Sequence, residues 1–462
     1  MQNDIKEDLS FFNELINELI DDELKNPVSR SILPEDLHSE FDLQLKSTPA
    51  ITKEFKKNLK KIVLNTPKSS SRLFFNQLFG GRHSKAVLGD LLAVMLNNSM
   101  ATYKIAGPQV AIEKEVIKQV CSLIGYPKSF GGTFPTGGSM SNFMSLVMAR
   151  DKKDKEIKNK GMRSRFTAYT SENSHYSLSK NAAFTGIGRE NLRHIESNKR
   201  GQMNVTALQR KIEEDIKNGF TPFYLNATAG TTVLCAFDSV VDLVPICKKY
   251  NIWLHLDGAF GGAVIFSSKH KHLVNGVEFT DSFCFNAHKT LGAPLSTSVL
   301  VVKDHKDLYN SFNNDANYLY QTEDESYNLG QTSFECGRRN NALKLWSLWK
   351  AVGTDGLRRI VDHTFFLADI ARNYVKSNIN YSLYSFENSL SICFNYRDFQ
   401  AKDLCTKLYQ KNKLMVGFGY FHDTNFVRLV TINAQHTEKD ILYFFKVLEE
   451  FADNNAELIK KR

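Results

Sequence analysis

Four short runs in this 462-residue chain end in polar residues that could share one reaction. IWLHLD (252–257) closes on Asp257, followed by Gly258, Ala259, Gly261 and Gly262. SFCFN (282–286) leads into His288 and Lys289, and PFYLN (222–226) into Thr228, Gly230, Thr231 and Thr232. FTAYT (166–170) leads into His175 within SENSHYS. A lone aspartate at such a place is commonly a helix cap, and a loop lysine is commonly solvated. Four together on one rim ask for a common chemistry. A fifth segment, TFPTGGSMSNFMSL (133–146), sets Gly137 and Gly138 in a turn, with Ser139 the expected N-cap of the helix that follows. Backbone N–H groups at a helix start, with the hydroxyls of Ser139 and Ser141, make an anion cup. Its spacing matches neither GxxxxGK[ST] nor GxGxxG. An amine that can lose its proton forms a Schiff base with an aldehyde. A carboxylate keeps a pyridine nitrogen protonated, which makes the ring an electron sink. A histidine can stack on one ring face, and Gly258 and Ala259 are small enough to let the other approach the strand. Pyridoxal phosphate uses all of these groups.

The elements that must position them alternate. Ile112, Val116, Val120 and Leu123 recur at spacings of four, four and three, which predicts a helix. Leu208, Ile212 and Ile216 mark another, with Gly219 placed to end it, and DSVVDLVPICKKY (238–250) a third. STSVLVV (296–302) reads as a strand beside the four runs above. Strands and helices alternating at this pitch predict βαβ units and a mostly parallel sheet covered on both faces, an α/β fold. Leu15, Ile16, Leu19 and Ile20, with breaks at Pro27, Pro34, Pro49 and Pro67, read as an N-terminal helical arm over 1–65. A large domain is expected over 66–345, and a smaller α+β domain over 346–462, where Thr437 and Asp440 resemble a capping box.

Composition narrows the partners. With 42% hydrophobic and 24% charged residues the chain is an ordinary globular one. The apolar stretch VLGDLLAVML is cut by Gly89 and Asp90, so no membrane association is expected. The start MQNDIKEDLS is acidic and carries no secretory pattern. Seven cysteines without a CxxC pair suggest free thiols of a reducing compartment, with no metal site, and the chain reads as cytoplasmic. The net charge of +9 is carried partly by runs such as KEFKKNLKK (53–61), whose one aromatic is Phe55, so solvated faces are expected rather than nucleic acid binding.

The strings FFNQLFGG (74–81), TGGSMSN (136–142), SENSHYS (171–177), PFYLNATAGTTVLCAFD (222–238), WLHLDGAFGG (253–262), FNAHK (285–289) and ECGRR (335–339) together resemble the group II decarboxylases that depend on pyridoxal phosphate. The resemblance lies nearest the glutamate, cysteine sulfinate and aspartate decarboxylase branch. It is dense from about 70 to 355 and thinner beyond. It implies fold type I of the pyridoxal-phosphate-dependent transferases, with a mostly parallel seven-stranded sheet. It also implies a carboxy-lyase that converts an acidic L-amino acid to its amine and carbon dioxide, working as a homodimer with shared active sites. By the resemblance Lys289 is the Schiff-base lysine, Asp257 the partner of the ring nitrogen, and His175 the stacking histidine. Gly138, Ser139 and Asn286 match phosphate-holding positions, and Thr228, Ala259 and His288 match positions around the ring. Arg428, in NFVRLV, matches the arginine that takes the substrate α-carboxylate; by residue type alone it could equally be an edge-strand arginine facing water. Tyr318, in ANYLYQ, matches the loop tyrosine that returns a proton to the substrate carbon. An aldehyde synthase or another pyridoxal phosphate reaction on the same scaffold is the alternative enzyme. A non-catalytic binding protein of this fold is the alternative of another class. Tyr318 speaks against the first, and the set Asp257, Lys289 and His175 against the second.

Three departures from the family pattern bear on the substrate. Asp-Ala-Ala becomes Asp257-Gly258-Ala259, the proline before His-Lys becomes Ala287, and Lys104 stands where an acid is expected. Three positions of the side-chain pocket differ within the branch. The first is serine in glutamate enzymes and phenylalanine in cysteine sulfinate enzymes, and here it is Phe79. The second is asparagine or serine respectively, and here it is Ser99; the third is phenylalanine or tyrosine, and here it is Ala101. Phe79 is expected to shorten the pocket toward cysteine sulfinate and aspartate, ahead of glutamate.

Overall fold

The computed structural model describes residues 2–314, 320 and 325–459. They form two compact units, one of residues 82–366 with 385–391, the other of residues 1–81 with 367–384 and 392–462.

The first unit is built on a seven-stranded sheet: β1 (Gly131–Thr133), β2 (Phe166–Ser171), β3 (Leu192–Ile195), β4 (Thr221–Thr228), β5 (Trp253–Gly258), β6 (Ser282–Asn286) and β7 (Ser298–Val302). Their spatial order is β1-β7-β6-β5-β4-β2-β3. The five strands from β3 to β6 in that order run parallel, and β7 and β1 close the far edge antiparallel. Every residue of β2, β5, β6 and β7 is buried, as continuous apolar runs in a sheet covered on both faces must be. Each fully buried Leu, Val or Phe contributes about 1.5–3 kcal/mol. The sequence reading lacks β1 and β3: GGT is too short to alternate, and LRHI breaks its apolar run with two polar residues.

The covering helices follow their patterns. Pro108–Ile124 starts on proline, which pre-sets the first helical φ, and stops at Gly125, whose φ of +80° is left-handed. Val205–Lys217 is capped by the Asn204 side chain accepting from the Ala207 amide, and buries Leu208 and Ile212. The register aligns Thr228 with Asp257 and Asp257 with Cys284, so the carboxyl ends of β4, β5 and β6 stand level. Loops therefore converge there, as in other open α/β sheets. Among the described residues no helix is long and apolar enough to cross a membrane.

The second unit holds a five-stranded sheet in the order Phe74–Phe75, Met415–Phe421, Thr424–Val430, Ser391–Tyr396, Tyr381–Leu383. Phe74 and Phe75 pair in parallel with Met415 and Val416. The helix Gln2–Lys25 belongs to this unit, so the N-terminal residues group with the C-terminal elements rather than standing as a separate arm. The later division falls at 366/367, inside the helical run Ala342–Ser377, where 345/346 was expected. The Thr437–Asp440 capping box is formed and starts the helix Glu438–Asn454.

Candidate active site

Asp257 closes β5 with its side chain held from two sides. Oδ1 accepts from the Ala259 amide at 3.0 Å, and Oδ2 accepts from the Asn142 side-chain amide at 2.7 Å. The strand end must be narrow. A Cβ on Gly258 would lie 2.6 Å from the Cys284 carbonyl oxygen and 2.7 Å from the Phe283 ring, so glycine here answers a close strand pair and a bulky neighbour.

Lys289 sits on the short turn Ala287–Thr290 after β6. That turn is fixed by the Ala287 amide donating to the Thr297 carbonyl at 2.9 Å, a bond proline could not make. It is also fixed by the Thr297 amide donating to His288 Nδ1 at 2.9 Å and by Thr290 Oγ1 donating to the Phe260 carbonyl at 3.0 Å. Burial lowers the lysine pKa, with Asp257 pulling the other way, which favours the neutral amine a carbonyl needs. Burial, helped by Lys289, also pushes His288 down to about 4.

The anion cup is the start of the helix Gly138–Lys153. Its cap residue is Gly137, and no side chain caps it, so Ser139 is not the N-cap: it lies inside the first turn. The Met140 and Ser141 amides bond back to the Gly137 carbonyl, while the two amides ahead of them, at Gly138 and Ser139, precede the first such bond. A Cβ at Gly138 would come within 2.9 Å of the Ala259 Cβ and 3.3 Å of Asn286 Nδ2, so only bare backbone leaves the cup open. Asn286 Oδ1 accepts from Ser298 Oγ at 2.7 Å, which leaves its NH2 group toward Gly138 as a donor.

Gly138, Ser139, His175, Thr228, Asp257, Ala259, Asn286, His288 and Lys289 thus line one cavity of about 230 Å³. His175 has its pKa lowered by burial, with Lys289 and Lys180 adding to that and Asp257 opposing it. Helix amides, a hydroxyl and an amide for a phosphate, a carboxylate for a protonated ring nitrogen and a lysine for an aldehyde fit pyridoxal phosphate. A larger cavity of about 700 Å³, lined by Lys114, Ile117, Tyr309 and Tyr327 among others, holds none of this set.

The remaining predicted positions are not among the residues that line this cavity. Ser99 Oγ donates to the Cys336 carbonyl at 3.0 Å and accepts from the Ala101 amide at 3.2 Å, and Ala101 is buried. Both belong to the first unit. Arg428 and Phe79 belong to the second. Arg428 stands on a central strand rather than an edge, and its Nη2 donates to the Asn76 carbonyl at 3.2 Å. Phe79 packs on Phe74 with ring centroids 6.1 Å apart. Tyr318 lies outside the described residues. Lys104 is exposed on the short helix Tyr103–Ala106. Sequence reasoning assigned nothing to Asn142, Tyr176 or Phe260, which also line the cavity. For Asn142 the available signal was its spacing of four from Gly138 on one helix.

The pyridoxal-dependent decarboxylase conserved domain matches residues 34–397. The human (Homo sapiens) cysteine sulfinic acid decarboxylase is 33% identical over 446 residues, 91% of this chain and 90% of that protein. The acidic amino acid decarboxylase GADL1 of Mus musculus is 32% identical over 88% of this chain and 78% of its own. The crystal structure of mouse CSAD matches with a TM-score of 0.91 at 31% identity, covering 95% of this chain and 97% of that one.

Proposed function

The chain belongs to the pyridoxal-dependent decarboxylase family, and from that premise we propose that it converts an acidic L-amino acid and a proton to the corresponding amine and carbon dioxide. Pyridoxal phosphate, when bound, supplies a ring that accepts the electron pair of the broken bond between Cα and the carboxylate. Asp257 holds a proton at the ring nitrogen, and Lys289 offers the amine that meets the aldehyde. The first-turn amides at Gly138 and Ser139, with the Asn286 side chain, hold the phosphate. His175 and Thr228, which line the same cavity, would flank the ring. Arg428 takes the α-carboxylate, and Tyr318 returns the proton to carbon.

The observation that carries the acidic substrate is the identity of 33% with cysteine sulfinic acid decarboxylase across nine-tenths of both chains. Phe79 supports the shorter acids, cysteine sulfinate and aspartate, over glutamate. One methylene in such a pocket discriminates by roughly 10- to 200-fold. The test is kcat/KM for carbon dioxide release from L-cysteine sulfinate, L-aspartate, L-glutamate and a panel of aromatic and basic amino acids. The three-carbon acids should lead. Glutamate leading would discard the Phe79 argument, and an aromatic or basic substrate leading would discard the acidic class.

We further propose a cytoplasmic homodimer. The helix Ser84–Leu96 leaves Leu88, Leu91, Leu92, Val94, Met95 and Leu96 each at least 40% exposed, an apolar face that supports burial against a second copy. All seven cysteines are free thiols, which supports a reducing compartment.

A further inference from the structure

Asn142 is 1% exposed and lies one turn beyond Gly138 on the helix Gly138–Lys153. Its Nδ2 is 2.7 Å from Asp257 Oδ2 and 3.3 Å from Ser177 Oγ, and its Oδ1 is 3.1 Å from His255 Nε2. Orienting the amide to suit these partners gives the group one consistent arrangement of protons. An ionised carboxylate only accepts, so the atom against Asp257 is the NH2 group, and Oδ1 must accept from His255. The His255 proton is therefore on Nε2. Its Nδ1 accepts from the Ser282 hydroxyl at 2.8 Å, and Ser282 Oγ in turn accepts from the Trp253 indole N–H at 2.9 Å. On the other arm, Ser177 Oγ accepts from Asn142 and gives its hydrogen to His175 Nδ1 at 2.8 Å. The Ser177 amide also donates to that nitrogen, at 3.2 Å. His175 Nδ1 thus only accepts, and the His175 proton sits on Nε2.

The chain Trp253, Ser282, His255, Asn142, Asp257 runs in one direction, and its inner members Ser282 and His255 have no exposed surface. The Tyr224 ring stacks on His255 with centroids 6.3 Å apart and restrains it from turning. Burial pushes His255 down to about 4, so it enters the chain as the neutral ring that the proton count requires. The Cys284 thiol, 3.7 Å from Asp257 Oδ1, is a further weak donor to the carboxylate.

We propose that Asn142 is a positioning residue for the cofactor and substrate: its single amide orients the Asp257 carboxylate and, through Ser177, sets the His175 proton on Nε2. The inference rests on the reading of this cavity as a pyridoxal phosphate site. A hydrogen bond to a charged group is worth enough that losing it should be visible in binding. Asn142→Ala should raise the dissociation constant for pyridoxal phosphate roughly 10- to 100-fold while the far-ultraviolet circular dichroism stays that of the parent. His255→Gln, which keeps an N–H donor for Asn142 Oδ1, should bind more tightly than His255→Leu. In the full chain labelled with 15N-histidine, the imidazole resonances of His175 and His255 should report protonated Nε2 and bare Nδ1, and Asn142→Ala should shift those of His175. The wild-type spectrum requires no variant to fold. A proton on Nδ1 of His175, or an Asn142→Ala variant with parental affinity and an unmoved His175 signal, would overturn the proposal. A wild-type chain that binds no pyridoxal phosphate would instead overturn the reading of the cavity, a separate and recognisable failure.

Discussion

Replacing Gly258 with alanine supplies the residue that the family pattern carries beside its pyridine-site aspartate, and in this chain it should do harm. The new Cβ would stand 2.6 Å from the Cys284 carbonyl oxygen, 2.7 Å from Phe283 Cε2 and 2.8 Å from the Gly262 Cα. Two of those three atoms are backbone, so β5 must move from β6 or the turn after it must open. Phe283 has no exposed surface and cannot swing out. Overpacking of this kind costs about 1–3 kcal/mol. Asp257, paired with Cys284 in the register, would move with the strand, so pyridoxal phosphate should also bind more weakly. Phe283→Val in the same background removes the ring contact but not the carbonyl, and should recover part of the loss, a coupling of roughly 0.5–3 kcal/mol in a double-mutant cycle. Urea denaturation of the four cofactor-free proteins, with a pyridoxal phosphate titration of each, measures both effects. Equal stability of Gly258→Ala and the parent, with no coupling to Phe283, would mean that the strand end accepts a Cβ without moving.

Acid should weaken the fold. Burial holds His255 and His288 at about 4 against an ordinary 6.5. Below pH ~6.5 the unfolded chain binds protons that the folded chain does not, so stability falls toward pH ~4 by on the order of 3 kcal/mol per histidine. Asp238, pushed up to about 6 by burial, and Asp281, also raised by burial, act oppositely, while His83 and His175, both lowered by burial, act with the two buried histidines. Urea midpoints should drop between neutral pH and pH ~4.5, and a rise would contradict this balance. Leu92→Asp places a charge on the exposed apolar face of Ser84–Leu96 and should shift the chain toward monomer in sedimentation velocity; an unchanged distribution would move the interface elsewhere. Tyr318→Phe loses only a hydroxyl, so pyridoxal phosphate binding should persist while amine yield falls and aldehyde accumulates in air. An unchanged amine yield would assign the proton to another group.

The parallel core of the fold was legible because its strands are short apolar runs with polar residues at their carboxyl ends. Periodicity finds such runs, and the register then sets Thr228, Asp257 and Cys284 level. What depended on distant pairing was not legible. Nothing local in FFNQLFGG announces that Phe74 and Phe75 join Met415 and Val416, and so the grouping of the first 81 residues with the C-terminal elements stayed hidden. The capping error at Ser139 has a local cause. Serine is a common cap, but here the turn closes on the Gly137 carbonyl two residues earlier, so the Ser139 amide stays in the cup. Asn142 was passed over for the opposite reason: a polar residue inside an apolar helix face shows its purpose only when its three partners, two on β5 and one at the start of the helix Ser177–Phe184, are seen around it.

Everything proposed for this cavity turns on Lys289 being the lysine that meets the cofactor aldehyde. Borohydride reduction of the full chain loaded with pyridoxal phosphate, followed by proteolysis and mass spectrometry, tests it directly. A phosphopyridoxyl group should appear on Lys289, with no stoichiometric label and no turnover in Lys289→Ala. A stoichiometric label on another lysine, or sustained carbon dioxide release by Lys289→Ala, would contradict it.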